Sequence, residues 1–369
     1  MGNGCFSRKA IHNQVNTHAQ VVLPESSDLQ RLPRRNLALL SEATDASFIE
    51  MSSPRAGSKL IRWKKGEKLG EGAYAEVFQC MNVETGNLFA VKHFKFSEDP
   101  KKVQKEFASL KREILLLREL VHPNIVQYYQ TDISETSDAI DVVLEFVPGG
   151  SLKSILHKYV KLEECVVQNY TRQLLLGLKY LHEHGVIHRD LKCANVLVTP
   201  DGVVKLSDFG SSKRFDRLSS GLSKSLKGSP YWMAPEVVLR QGHSYSADIW
   251  SLGCIIIEMV TGVPPWSNYS RDSKEVLGLI ALPGNLPIIP ECSTVMRKFI
   301  RSCLAREPDL RPTANDLLRH QMITSSFDMS EMTASHDKSI RNSTGVGESN
   351  EDLVELLSKS QNFRAVPEM

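Results

Sequence analysis

No apolar run in this chain of 369 residues comes near the roughly twenty needed to cross a bilayer, and a run such as Cys254–Ile257 is far too short. The first residues hold no apolar core of the kind a signal peptide needs. The seven cysteines form no CxxC or CxxH pair, which speaks against a zinc site and suits a reducing, cytoplasmic setting. Net charge is only +2, so the chain lacks the basic excess used to bind nucleic acid, and no nucleic acid is expected as a partner. What is there is ordinary for a globular protein: 41% hydrophobic and 24% charged residues, on enough chain for one large or two medium domains.

Texture divides the chain into three. Residues 1–60 are rich in Ser, Asn, Gln and Thr without a sustained apolar period, which predicts a disordered N-terminal tail. It begins MGNGCFSRK. Gly2 is the position N-myristoylation requires, Cys5 is a candidate for a second acyl chain, and Arg8 and Lys9 suit an anionic membrane surface. Phe6 stands where Ser or Thr is usual, and a Gly placed there by accident is the competing reading. From Ile61 onward apolar and polar residues alternate around the turn residues Glu84-Thr85-Gly86, predicting three antiparallel strands. In residues 101–120, Phe107, Leu110, Ile114, Leu117 and Leu120 recur at three and four, the period of an amphipathic helix. Ile140–Phe146 reads as a buried strand. SLKSILHKY and QNYTRQLLLGLKYLHEHG read as helices, the second ended by Gly185. Residues 246–266 predict an apolar helix ending at Gly262, with Trp250 and Trp266 in the core. Residues 272–320 alternate helices and loops, with Arg311-Pro312-Thr313-Ala314 opening the last helix. Residues 324–369 carry eight acidic and four basic side chains and predict a mostly disordered acidic tail. Within it, GESNEDLVELLSK would form a short amphipathic helix through Leu353, Leu356 and Leu357, one that docks or simply frays.

Chemistry concentrates between His188 and Gly210. HRDLKCAN is followed, thirteen positions after Asn195, by Asp208-Phe209-Gly210. Gly70 and Gly72 stand at the end of the first predicted strand, and Phe89-Ala90-Val91-Lys92 lies on a later one, with Lys92 twenty residues past Gly72. Two glutamates, Glu106 and Glu113, lie on the amphipathic helix. Ser211–Lys227 is a loop of Ser, Lys and Arg, and GSPYWMAPE follows it. Taken singly each is weak: a lone Asp caps its own turn, a lone strand Lys is solvated, and a glycine pair makes an ordinary hairpin.

Together the motifs resemble the eukaryotic protein kinase family over residues 61–323. The resemblance implies an α+β, bilobal protein kinase fold: a small N-lobe (about 61–146) with an antiparallel sheet and one key helix, and a larger, mainly helical C-lobe (about 150–323). It implies ATP and Mg²⁺ as cofactors. Asp190 would orient a substrate hydroxyl and accept its proton, Lys192 would set an ammonium beside the moving phosphoryl group, and Asn195 and Asp208 would hold the metal. Lys92 would meet the α/β-phosphates. Its acid partner is assigned to Glu113 because the family places HPNIV ten residues on, at Pro123. ATP would lie among Leu69, Gly70, Glu71, Gly72, Ala73, Tyr74, Ala75, Val77, Ala90, Leu144, Glu145, Val147 and Leu197, with Leu144 as gatekeeper and hinge backbone from Glu145 and Val147. Ala75 replaces the frequent third Gly, which suggests a stiffer loop. Ser219, Ser220, Ser223 and Ser225 are candidate activation-loop phosphosites for an upstream kinase, with Arg189 and Lys213 as the phosphate clamp. Trp232 and Met233 would line the substrate floor, and Glu236 would pair with Arg311.

HRDLKxxN is the serine/threonine form of the loop. WKKGEKLGEGAYAEVF, KREILLLRELVHPNIV, GSPYWMAPEV and DIWSLGC look most like the MAP kinase kinase kinase (Ste11 / MEK kinase) group, whose substrates are MAP kinase kinases. A Ste20-like kinase, which carries a similar GTPYWMAPE segment, is one alternative. A pseudokinase scaffold is another, but it would have lost Lys92, Asp190 or Asp208, and all three are present.

Overall fold

The computed structural model describes residues 61–72, 75–96, 99–133, 139–214 and 228–325. In chain order the elements are β1 (Trp63–Glu71), β2 (Ala75–Asn82), β3 (Leu88–Lys95), α1 (Pro100–Glu119), β4 (Tyr128–Ile133) and β5 (Ala139–Glu145). There follow α2 (Leu152–Tyr159), α3 (Glu164–Glu183), β6 (Val186–Ile187), β7 (Val196–Val198), β8 (Val204–Leu206) and β9 (Lys213–Arg214). The rest are α4 (Pro235–Val238), α5 (Tyr245–Thr261), α6 (Ser273–Ala281), α7 (Thr294–Cys303), α8 (Ala314–Leu317) and α9 (Gln321–Thr324). The composition is therefore mixed α+β. Among the described residues the chain folds as two compact units, 61–154 with 180–214, and 155–179 with 228–325. The segment from Val186 to Arg214 groups with the sheet because Leu206 bonds on both sides to the stretch after α1: its N–H donates to Asn124 O and its carbonyl accepts from Val126 N–H.

The first unit is built on a five-stranded antiparallel sheet in the order β1-β2-β3-β5-β4. Paired residues of an antiparallel sheet share a face. The register Phe78↔Val91↔Val143 and Cys80↔Phe89 therefore gathers an apolar cluster on one face. The register Val77↔Lys92 and Ala90↔Leu144 gathers Val77, Ala90, Lys92 and Leu144 on the other. The β2–β3 turn closes at Gly86 (φ 74°), and Asn82 Oδ1 accepts from the N–H groups of Glu84 and Thr85. β4 was not anticipated from sequence. Its Gln130 and Thr131 are buried polar residues, and Gln130 is satisfied by gripping the backbone of Ile61 at both N–H and carbonyl.

The second unit is helical. Its centre is α5, buried along most of its length and ended by Gly262 in the left-handed conformation (φ 78°), with the Gly262 N–H donating to Glu258 O. Trp250 and Trp266 are both buried. Side-chain caps define the starts of α6, α7 and α8. Asp272 accepts from Lys274 N–H at α6, Ser293 from Met296 N–H at α7, and Thr313 and Asp316 cap each other reciprocally at α8. Two expectations are corrected. The helix expected from Gln168 starts at Glu164, because Val167 is fully buried and packing overrides the strand preference of Val166-Val167. Ala314 opens not the last helix but the one before it, since α9 follows.

Candidate active site

The elements of the first unit converge on Lys92. β3 holds it in a strand paired on both sides, with Val77 and Val142 opposite. α1 brings Glu113, chosen by helical period to face inward with Leu110, Ile114 and Leu117. Lys92 Nζ lies 2.8 Å from Glu113 Oε1 and 3.0 Å from Asp208 Oδ1. The Lys92 side chain is 17% exposed and that of Glu113 9%. Burial pulls the Lys92 ammonium down, but the carboxylates of Glu113 and Asp208 outweigh it and hold its pKa well above the ordinary lysine value. At Asp208 burial pushes the carboxyl up, and the Lys92 ammonium more than reverses that, so the group stays below the usual carboxylate range.

Asp208 itself sits in left-handed backbone (φ 60°, ψ 77°), an uncommon conformation for a non-glycine residue. Two residues on, a Cβ at Gly210 would stand 3.2 Å from Glu113 Oε2 and 3.4 Å from Asp208 Oδ1. A side chain at 210 would thus press on the Glu113 carboxylate, which would have to give by a few tenths of an ångström.

The loop carrying Asp190 is fixed by its own hydrogen bonds. His188 Nδ1 accepts from the Asp190 N–H, so its Nε2 is the donor to Ser207 O at 3.1 Å. Ser212 Oγ donates to His188 O, and the His188 ring lies 5.1 Å from that of Phe209. Lys192 Nζ lies 2.8 Å from Asp190 Oδ2. Asn195 Nδ2 donates to Asp190 O at 2.9 Å and to Asp190 Oδ2 at 3.1 Å. The hairpin β7–β8 then carries the chain to Asp208, with the Ser207 N–H and Oγ both donating to Asn195 O. The structure thus gathers Lys92 and Glu113 with Asp208, and Asp190 with Lys192 and Asn195, all within one unit.

Because the Asn195 amide nitrogen is held by Asp190, its side-chain oxygen is left as the acceptor end. Asp208 adds a half-exposed, ionised carboxylate. One amide oxygen and one carboxylate are hard donors and too few to cage an ion, which fits Mg²⁺ held jointly with phosphate. Among the described residues no group of three or more His, Cys, Asp or Glu is arranged to hold a metal without such help.

The remaining expected residues are placed as follows. Gly70 pairs with Val77 at the end of β1, and a Cβ there would meet nothing within 4 Å, so open space lies above it. The Gly72 N–H donates to Ala75 O at 2.8 Å. Leu69 is largely exposed, Val147 is buried, and Leu197 is bridged to Ser151. Gly149 is pressed onto β7, where a Cβ would meet Val198 O at 2.1 Å. The Glu145 N–H donates to Gln127 O, so its carbonyl is the backbone group left for a ligand. Arg189 (φ 71°) is buried two residues beyond Ile187, and Ile187 pairs with the exposed Lys213. Gly2, Cys5, Ala73, Tyr74, Ser219, Ser220, Ser223 and Ser225 lie outside the described residues.

In the second unit Met233 is buried, and the Trp232 Nε1–H donates to the buried Glu258. Arg311 Nη1 and Nη2 meet Glu236 Oε1 and Oε2 at 2.6 and 2.8 Å.

Three arrangements were missed in the sequence. Lys68 Nζ bridges Glu71 and Glu76 at 2.7 and 2.8 Å, and Lys95 Nζ meets Glu76 at 2.9 Å, stapling the stem of the glycine loop. Hydrogen bonds from Lys68 and Lys95 lower the Glu76 pKa to about 2. Glu145 pairs with Lys205 at 2.9 Å, and Glu119 with Arg214. Alternating charge flanking the glycines was a readable signal for the first; the other two span distant segments and left none.

Comparison with known sequences follows this geometry. The protein kinase domain family matches residues 63–323. The chain is 46% identical over 287 residues to mitogen-activated protein kinase kinase kinase 2 of Arabidopsis thaliana, covering 75% of this chain and 44% of that protein. It is 46% identical over 268 residues to mitogen-activated protein kinase kinase kinase 3 of the same plant, covering 72% and 41%. It is 45% identical over 267 residues to mitogen-activated protein kinase kinase kinase A of Dictyostelium discoideum, covering 71% and 28%. The chain spans less than half the length of these curated relatives.

Proposed function

The chain belongs to the protein kinase family, and on that premise we propose that it transfers the γ-phosphate of ATP to serine or threonine hydroxyls of MAP kinase kinases, acting as a MAP kinase kinase kinase. The observation that supports the reading best is Lys92 held at once by Glu113 and Asp208. That arrangement is the assembled form of the strand–helix ion pair that kinase activity requires.

In this reading Lys92 orients the α/β-phosphates. Asp190 aligns the substrate hydroxyl and takes its proton as the oxygen–phosphorus bond forms and the bond to the ADP oxygen breaks. Lys192, paired to Asp190 at 2.8 Å, faces the charge that develops on the moving group. Asn195 and Asp208 would hold Mg²⁺, which when bound would neutralise phosphate charge. Val77, Ala90 and Leu144 offer one sheet face to the adenine. Arg189 and Lys213 clamp a phosphoserine at 219, 220, 223 or 225, placed there by an upstream kinase or by the chain itself.

Phosphate transfer by the full chain onto purified MAP kinase kinases, with sites mapped on enzyme and product, tests this. Incorporation at serine or threonine in their activation loops is expected. Transfer only to other proteins would move the chain to another tier such as a Ste20-like kinase, and no transfer at all would make it a scaffold. Among the described residues no helix is long and apolar enough to cross a membrane. Membrane attachment in this reading rests on acylation of Gly2, with Cys5 as the second anchor. Gly2→Ala is expected to shift the protein from membrane to soluble fractions, and unchanged fractionation would remove the idea.

A further inference from the structure

An apolar groove opens where α5 ends. Val263, Trp266, Tyr269, Ile288 and Pro290 line it around about 570 Å³ of open space. Val263, Tyr269 and Ile288 expose 43%, 51% and 53% of their surfaces. The rim extends onto the turn after α2. Val160 O lies so close to Gly262 that a Cβ there would stand 1.9 Å away, and Tyr159 and Val160 are each 69% exposed. Apolar residues gathered in this way mark a surface that something covers.

We propose that the chain's own residues 348–359, ESNEDLVELLSK, occupy this groove as a short helix with Leu353, Leu356 and Leu357 inward. Three observations carry it. First, the three leucines recur at three and four, while Glu351 and Glu355 fall on the opposite side of the helical wheel, so the segment has one apolar stripe to bury. A helix of this length is marginal alone and gains stability by laying that stripe into a groove.

Second, the end of the described chain is tied close to the groove. Gln168 Nε2 donates to Ser325 O at 2.9 Å, and Glu164 Oε1 accepts from Ser293 N–H at 2.7 Å. Glu164 and Gln168 are one turn apart on α3, about 6 Å along its axis. Pro290, in the groove wall, precedes Ser293 by three residues, at most about 11 Å of chain.

Third, Leu353 follows Ser325 by 28 residues, and a coil of that length spans roughly 30 Å. The segment can therefore reach the groove without strain, at an effective concentration on the order of millimolar. A second copy or a free peptide of equal affinity, present at micromolar level, would lose to it.

The test uses the full chain with the photo-crosslinking residue p-benzoylphenylalanine in place of Tyr269, an exposed position, followed by peptide mapping at two protein concentrations about tenfold apart. The expected adduct lies within residues 348–359 of the same chain. Its yield is independent of concentration and is lost in Leu353→Asp/Leu356→Asp/Leu357→Asp, which lies outside the described fold. An adduct between copies, an adduct with another segment, no adduct, or a yield unchanged by the triple substitution would each overturn the proposal.

Discussion

Among the described residues, the Arg311–Glu236 pair of one unit and the Lys92 pair of the other are made differently. Arg311 and Glu236 are paired through both oxygens, with side chains 0% and 7% exposed. Every remaining Arg311 donor is also taken, by the carbonyls of Ala305, Ser246 and Arg306. Lys92 is instead shared between two carboxylates, one of them, Asp208, half exposed and seated in strained backbone. A bidentate guanidinium with all donors used has a single arrangement. A compact ammonium between two acids can exchange one for a ligand. The same attraction therefore serves as a fixed joint in one unit and as an adjustable contact in the other.

The comparison breaks most sharply under substitution. Lys92→Met or Asp208→Asn should lower phosphate transfer by about 10³-fold or more while cooperative unfolding is retained. Equal loss of activity and folding, seen by assay and circular dichroism on the same samples, would erase the distinction. Arg311→Met should do the reverse. It leaves Glu236 buried without a partner and costs roughly 3–5 kcal/mol of stability, read from urea midpoints, with activity falling only as the folded fraction falls.

How far these features were legible differs by residue. Lys92, Glu113, Asn195 and Asp208 were named from sequence through the resemblance to the protein kinase family; the residues alone left Glu106 standing beside Glu113. β1–β3 and the end of α5 at Gly262 were legible for local reasons, alternation in one case and a left-handed cap in the other. β4 was not, since Gln130 and Thr131 look like loop residues until Ile61 is found bonded to Gln130 from 69 residues away. The sharing of Lys92 with Asp208, 116 residues on, likewise exists only in three dimensions.

Acidity offers a finer probe. Lys92 binds its proton more tightly folded than unfolded, so its contribution is complete below the ordinary value of 10.5 and fades as pH rises beyond it. Asp208 holds its proton less tightly folded, so its contribution is complete above the ordinary value of 3.8 and is lost as pH falls further. Neither group therefore adds a slope to the thermal midpoint between these limits. In Lys92→Met the acid-side loss from this group should shrink or reverse, because the charge that lowers the Asp208 pKa is gone and burial alone pushes it up. An unchanged acid edge would contradict the pairing. The smallest effect is expected at the glycine-loop staple. Glu76→Gln should raise the KM for ATP about two- to fivefold with kcat unchanged, as suits exposed ion pairs. A fall in kcat instead would place Glu76 nearer the chemistry than its position on the stem allows.

The most direct measurement is radiolabelled γ-phosphate transfer from ATP to a MAP kinase kinase, run side by side with the wild-type full chain and Asp208→Asn. Label on the substrate's activation loop with the former, and at least about 10³-fold less with the equally folded variant, is the predicted result. Equal labelling by both, or none by the wild type, would contradict the assignment of Lys92, Glu113 and Asp208 to phosphoryl transfer.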